Sequence, residues 1–370
     1  MSTLADLLDG LTVEGELYEP LSDGSVRCYA CGHRCLIREG KRGVCQVRYN
    51  EKGKLRVPWG YVAALQSDPI EKKPFFHVMP GTNALTFGML GCDFHCGYYQ
   101  NWTTSQALRD PESDESINSV RKITPHGMVQ MAHRTKASVV ASSYNEPLIT
   151  SEWAVGIFKE AKAAGLMCVY VSNGNNTPEV MEYIRPYISA YKVDLKSMQD
   201  KNYRKLGGIL QNTLDGIKRA HDLGLWVEIV TLTIPGFNDS NEEIWDAARF
   251  IASVSKDIPW HVTAFHKDYK MTTPDNTNAQ TLLRAADIGH EAGLRYVYAG
   301  NAPGQVDEYE NTFCPNCTER LITRHGYVIT EYKITGSGTC PKCNTKVAGL
   351  WPADPSAVGL NKHGFPLPVY

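Results

Sequence analysis

Ten of the eleven cysteines fall in three tight groups: Cys28, Cys31, Cys35 and Cys45; Cys92 and Cys96; and Cys314, Cys317, Cys340 and Cys343. Soft thiolates grouped in this way hold zinc, iron or iron–sulfur clusters, whereas scattered thiols do not. The last group is two CxxC pairs. Each CxxC turn aims two sulfurs at one ion, and two turns complete a tetrahedron with no open position. A structural zinc-ribbon or rubredoxin-like knuckle follows, with zinc or iron as the ion. The first group, CxxCxxxC with Cys45, suits either a structural zinc or iron knuckle or an auxiliary iron–sulfur cluster. The remaining cysteine, Cys168 in Met167-Cys168-Val169-Tyr170-Val171, reads as a small buried hydrophobe on a strand.

A repeating scaffold must position these groups. Strands are predicted at Ala84–Met89, Ser138–Ser142, Cys168–Ser172, Ala190–Leu195, Trp226–Leu232, Trp260–Phe265 and Tyr296–Tyr298. They alternate with helices near Pro125–Arg134, Ser151–Ala164, Pro178–Ile184, Thr213–Asp222, Asn241–Val254 and Ala279–Ala292. Alternation of this kind predicts an α/β fold with a parallel sheet, here a partial (β/α)6-type TIM barrel. An N-terminal cysteine-rich module and a C-terminal four-cysteine zinc-ribbon-like knuckle flank it. The expected divisions are 1–80 (module and linker, the linker over Asp68–Gly81), 81–302 (barrel), 303–352 (knuckle) and 353–370 (tail). Chemistry in such folds gathers where strands end. The polar residues there are Tyr144 to Pro147, Asn173-Gly174, Asp194 with Lys196, Thr233 to Asn238, and His266 with Lys267.

The chain has 370 residues, 42% of them hydrophobic and 21% charged, with a formal net charge of −2. This balance offers no polyanion-binding surface and no disordered tail. Arg320, Arg324, Lys342 and Lys346 near the knuckle read as a solvated charged face rather than a nucleic-acid site. The apolar runs are too short to span a membrane, the first ten residues lack a signal-peptide pattern, and the cytoplasm is the expected compartment.

The segment Gly91-Cys92-Asp93-Phe94-His95-Cys96-Gly97-Tyr98-Tyr99-Gln100-Asn101-Trp102 follows the first barrel strand. It resembles the CxxxCxxC loop of the radical S-adenosylmethionine (SAM) superfamily. Further stretches resemble the radical SAM enzymes of the AmmeMemoRadiSam system, relatives of the pyruvate formate-lyase activating enzymes. They are Cys28 to Cys35 with Gly43-Val44-Cys45, Asp68 to Pro74, Tyr99 to Trp102, Ser143 to Pro147, Val193 to Lys196, Ala264 to Lys270, Tyr298 to Asn301, and the knuckle ending at Trp351.

The resemblance implies a [4Fe–4S] cluster on Cys92 and Cys96, with SAM contacted by Asn145, Glu146, Ser172 and Asn173. Asp194, Lys196 and His266 would face the same cavity as catalytic groups. It further implies an oxidoreductase that cleaves SAM reductively to a 5′-deoxyadenosyl radical and abstracts hydrogen from a protein side chain or small molecule. Activation of a glycyl-radical partner is the family analogy, and a flavodoxin or ferredoxin the expected electron donor. The third cysteine of the motif is Tyr99. Three readings are open: tyrosine is the third ligand; His95 or an N-terminal cysteine substitutes; or the cluster is lost and the chain is a disabled, metal-stabilised binding module.

Overall fold

A computed structural model of the chain describes residues 3–362, 364, 366 and 369, so the expected tail 353–370 lies partly outside the described residues. Its centre is an eight-stranded sheet in unbroken chain order. The strands are β1 (Ala64–Pro69), β2 (Asn83–Gly88), β3 (Ala137–Ser142), β4 (Met167–Ser172), β5 (Ala190–Asp194), β6 (Trp226–Thr233), β7 (Trp260–Ala264) and β8 (Val297–Gly300). β2 to β8 are parallel, and β1 lies antiparallel on β2. Every crossover steps in the same direction, so right-handed connections put all the helices on one face. This is the winding of a barrel, but among the described residues β1 and β8 do not pair, and the sheet stays open.

The longer helices that connect these strands are α1 (Pro125–Arg134), α2 (Ser151–Ala163), α3 (Pro178–Ile184), α4 (Asp200–Lys205), α5 (Leu210–Asp222), α6 (Asn241–Val254) and α7 (Ala279–Glu291). Their starts follow local chemistry. The hydroxyls of Thr124, Thr177 and Ser240 accept the amides of Gly127, Val180 and Glu243, and proline opens α1 and α3.

Strand parity separates two faces. Tyr191 and Val193, Val227 and Ile229, and Trp260 and Val262 join the apolar core that also holds buried residues of the helices. The alternate positions carry Lys192 and Asp194, Glu228, His261 and Thr263, all turned to the opposite face. At the lower end of that face the Glu228 carboxylate accepts His261 Nε2 at 2.7 Å and the amides of Phe76 and His77.

The stretch Asp68–Gly81 is not a linker. Asp68 and Pro69 end an edge strand, Ile70–Lys72 form one 3-10 turn, and Phe75 and Val78 are buried. Its polar residues are internal partners: Lys73 Nζ meets Asp68 at 2.6 Å, Glu71 accepts the Gly81 amide, and His77 bonds Tyr298 and the Ala348 carbonyl. The N-terminal module consists of two small three-stranded sheets. Arg48 fastens it to α2 through a bidentate pair with Glu152, both 2.8 Å bonds fully buried.

The C-terminal ribbon is β9 (Thr312–Phe313), β10 (Arg320–His325) and β11 (Val328–Tyr332). Of its basic residues, Arg320 and Lys342 pair with Glu308 and Glu319. Arg324 is not on a solvated face. It is buried, donates to the Phe76 carbonyl and the Thr312 hydroxyl, and lies 4.3 Å from the Phe76 ring centre.

Candidate active site

One cavity of about 700 Å³ opens along the polar face of the sheet. Cys92, Cys96, Tyr99, Asn145, Glu146, Ser172, Asn173, Asp194, Lys196 and His266 all line it. Residues from Cys92 to Lys196 are thus delivered to one space by the ends of β2 to β5 and the loops after them, with His266 joining them from the loop after β7.

The loop after β2 is held from several sides. Gly91 has φ +94°, where a side chain is strained, and a Cβ there would meet the Cys45 carbonyl at 2.9 Å. The Gly97 carbonyl accepts the Lys270 amide, and Trp102 stacks on Tyr269 with ring centres 4.8 Å apart. Arg109 donates to the carbonyls of Cys92 and Phe94.

Tyr99 lies among Cys92, Asp194 and Lys196, whose ammonium sits 5.9 Å from the Tyr99 ring centre and 6.0 Å from that of Tyr98. Burial, and then Asp194, push the Tyr99 phenol up; Lys196 opposes them. His95 is turned away: it is exposed, beside Gly207, and does not line the cavity. The N-terminal cysteines line a separate pocket. Of the candidates for the third corner, Tyr99 is therefore the one that faces the cavity with Cys92 and Cys96.

Glu146 organises the opposite wall. It accepts the Ser172 hydroxyl at 2.7 Å, the Asn173 amide at 2.7 Å and the Leu148 amide at 3.1 Å. Burial, followed by the nearby Asp93 carboxylate, drives the Glu146 carboxyl upward. Asp93 in turn accepts the side-chain amides of Asn173 (2.7 Å) and Asn175 (2.8 Å). The Asn145 side chain accepts the Met89 amide, tying the loop after β3 to the end of β2. Tyr144 has φ +67°, a strained conformation for a residue with a side chain.

Asp194 is flanked by Lys192 and by Lys196 at 3.3 Å. Burial would raise its carboxyl, but the two lysines outweigh burial and hold it below the ordinary range. The pair expected at the rim is therefore a partly buried lysine–aspartate–lysine group, and Lys192 was not foreseen. Lys73 was not foreseen either, and Tyr144, expected at the rim after β3, forms a group with it. They join Asp68, and burial, offset in part by Asp68, lowers the Lys73 ammonium to about 8. His266 is at the mouth, 53% exposed, with Asp268 at 3.8 Å. Tyr327, at the β10–β11 turn of the ribbon, also lines the cavity.

Away from this cavity, the four ribbon sulfurs lie within 4.8 Å of one another, with Cys314–Cys343 at 3.5 Å and Cys317–Cys340 at 3.7 Å. That spacing fits one tetrahedral ion. Cys168 is buried in the apolar core. No helix among the described residues is long and apolar enough to cross a membrane.

Residues 87–251 match the family model described as the radical SAM superfamily. An uncharacterized protein of Methanocaldococcus jannaschii is 36% identical over 314 residues, 84% of this chain and 91% of that protein. The pyruvate formate-lyase-activating enzyme of Staphylococcus aureus is 25% identical over 203 residues, 51% of this chain and 78% of the enzyme. A solved domain of a pyruvate-formate lyase-activating enzyme from Bacteroides vulgatus overlaps 44% of this chain and 98% of its own length, at 21% identity and a TM-score of 0.39. With the cysteine loop, the strand-end residues and the sheet brought together around one cavity, the chain belongs to the radical SAM superfamily and is homologous to the pyruvate formate-lyase activating enzymes.

Proposed function

We propose that the chain is an iron–sulfur enzyme of the AmmeMemoRadiSam type, which cleaves SAM reductively and abstracts hydrogen from a protein side chain or small molecule. The observation that carries this reading is the convergence of Cys92, Cys96 and Tyr99 with Asn145, Glu146, Ser172 and Asn173 on one cavity. Two sulfurs and one oxygen facing a common space fit a [4Fe–4S] cluster held at three corners, with Lys196 supplying positive charge beside the phenol. When bound, the cluster supplies the electron that splits SAM into methionine and a 5′-deoxyadenosyl radical.

The protein's part is orientation and dryness. Cys92 and Cys96 would hold the cluster, and Tyr99, as phenolate, would be its third ligand. Glu146, which accepts from three donors, acts as a strut that fixes Ser172 and Asn173 for the polar end of SAM. The Lys192–Asp194–Lys196 group and Lys73 set the charge of the substrate side of the cavity, and His266 is placed where a substrate enters. A flavodoxin or ferredoxin is the electron donor in this reading.

A second reading is favoured by the phenol oxygen at Tyr99, a harder donor than the thiolates of Cys92 and Cys96: the chain keeps the open sheet and the cavity but does not hold the cluster, and works as a binding module. Anaerobic reconstitution of the chain beside Tyr99→Cys separates the two. Iron and sulfide content, EPR after reduction and 5′-deoxyadenosine formation are the readouts. Product from the unaltered chain is the expected result; product from Tyr99→Cys alone establishes the second reading.

A further inference from the structure

We propose that Cys28, Cys31, Cys35 and Cys45 hold a second iron–sulfur cluster, which His33 and Asp93 connect to the loop bearing Cys92 and Cys96. The four cysteines line one small pocket, shared with Ala30, Ile37 and Arg48. All four are free thiols, and three are buried. Four thiolates on a single zinc, each about 2.3 Å from the ion, must stand roughly 3.8 Å apart. The ribbon meets that requirement; the N-terminal sulfurs do not form such a compact set of four. Convergence on one pocket at wider spacing is what a cubane demands, because its thiolates bind at separate corners.

The pocket abuts the cysteine loop of the main site. Cys31 Sγ is 3.6 Å from His33 Nδ1, and that nitrogen is 3.8 Å from Asp93, the residue next to Cys92. His33 Nε2 is anchored at 2.7 Å to the Gly207 carbonyl, which fixes the ring between the two. Arg109 bridges the same gap by donating to Val44 on one side and Cys92 on the other. The Gly91 backbone rests on the Cys45 carbonyl. His33 and Asp93 thus form a direct side-chain link from Cys31 to the loop that carries Cys92.

The role that follows is electron entry, and it rests on the function proposed above for the electron's destination. A low-potential one-electron donor protein reduces the N-terminal cluster. That cluster is then reoxidised by passing one electron to the cluster at Cys92 and Cys96. No bond forms or breaks, and no proton moves.

The site is tested with the full chain carrying Cys92→Ala and Cys96→Ala, reconstituted anaerobically. The expected result is iron and sulfide in equal amounts and a reduced EPR signal unaffected by SAM. Zinc alone, or no metal beyond the ribbon's, overturns the proposal. This readout is independent of SAM cleavage, so failure of the proposed function leaves it intact. His33→Phe should shift the midpoint potential of the N-terminal signal, because polar contacts to cluster sulfur tune potential; an unchanged potential removes His33 as a positioning residue. Cys31→Ala/Cys45→Ala should lower flavodoxin-driven 5′-deoxyadenosine formation at least tenfold and spare dithionite-driven formation. An equal fall with both reductants overturns the electron-entry role.

Discussion

The two four-cysteine regions share a ligand count and differ in what surrounds them. The ribbon cysteines belong to a small core of their own, with Leu321, Ile322, Ile329, Ile334 and Val347, which meets the sheet through Phe76, Tyr296 and Tyr298. The N-terminal cysteines Cys28, Cys31 and Cys45 belong to the main core, in one cluster with Leu85, Phe87 and Trp153. A metal in the ribbon therefore makes a core where apolar area is scarce. A metal in the N-terminal module adds to a core that already exists, so stability alone does not account for its four cysteines.

Three experiments break or sharpen this contrast. The largest effect is expected for Cys340→Ala, which removes a ligand from the compact ribbon site. Metal-linked folding is worth on the order of 10 kcal/mol in small zinc domains, so hydrogen exchange should open residues 312–351 while β2 to β6 stay protected. Loss of protection throughout the sheet would show that the ribbon is no separate unit.

Next in size is Arg48→Met. It leaves the buried Glu152 carboxylate without its partner, a change that costs about 3–5 kcal/mol. Because Arg48 joins the module to the main core, urea unfolding should shift as a single transition. An unchanged midpoint would mean that the module is as detachable as the ribbon.

The smallest effect concerns His77, which ties the ribbon to the sheet. Burial lowers its imidazole from 6.5 to about 4. The folded state thus holds it neutral, and its stabilising contribution is present above pH 6.5 and lost as the pH falls through about 4. That amounts to roughly 3 kcal/mol across the window. His77→Gln should flatten this part of the stability–pH profile, and a slope identical to that of the unaltered chain would exclude His77 as its source.

Much of the scaffold was legible because its signals are local. Thr124-Pro125 and Thr177-Pro178 mark helix starts with a cap and a proline, and both helices begin there. α5 begins at Leu210 rather than Thr213 because the Leu210 amide is satisfied by Asp200, ten residues away, a partner no short window contains. β1 was missed since Gln66, Ser67 and Asp68 look like turn residues until Tyr144 is seen to bond Gln66 and Asp68, and Lys73 to pair with Asp68. The same holds for Lys192 and Arg324: a cation in a sequence reads as solvated, and only tertiary structure brings Asp194 to the one and the Phe76 ring to the other. The candidate residues that line the cavity were readable through the family motif, but their order around it, with Tyr99 inside and His95 outside, depends on loop contacts made by Leu206, Gly207 and Lys270.

The Arg48–Glu152 pair also sets a schedule. Its partners are 104 residues apart. At about 5–20 residues per second of synthesis, the module's thiols emerge roughly 5–20 s before the carboxylate that seats them. During that interval four reactive sulfurs are exposed on a nascent chain with nothing to close over them. For the N-terminal cluster proposed above, loading would therefore be a race that begins at the ribosome, with the order of synthesis favouring ions or clusters delivered early over those that arrive after the sheet has formed.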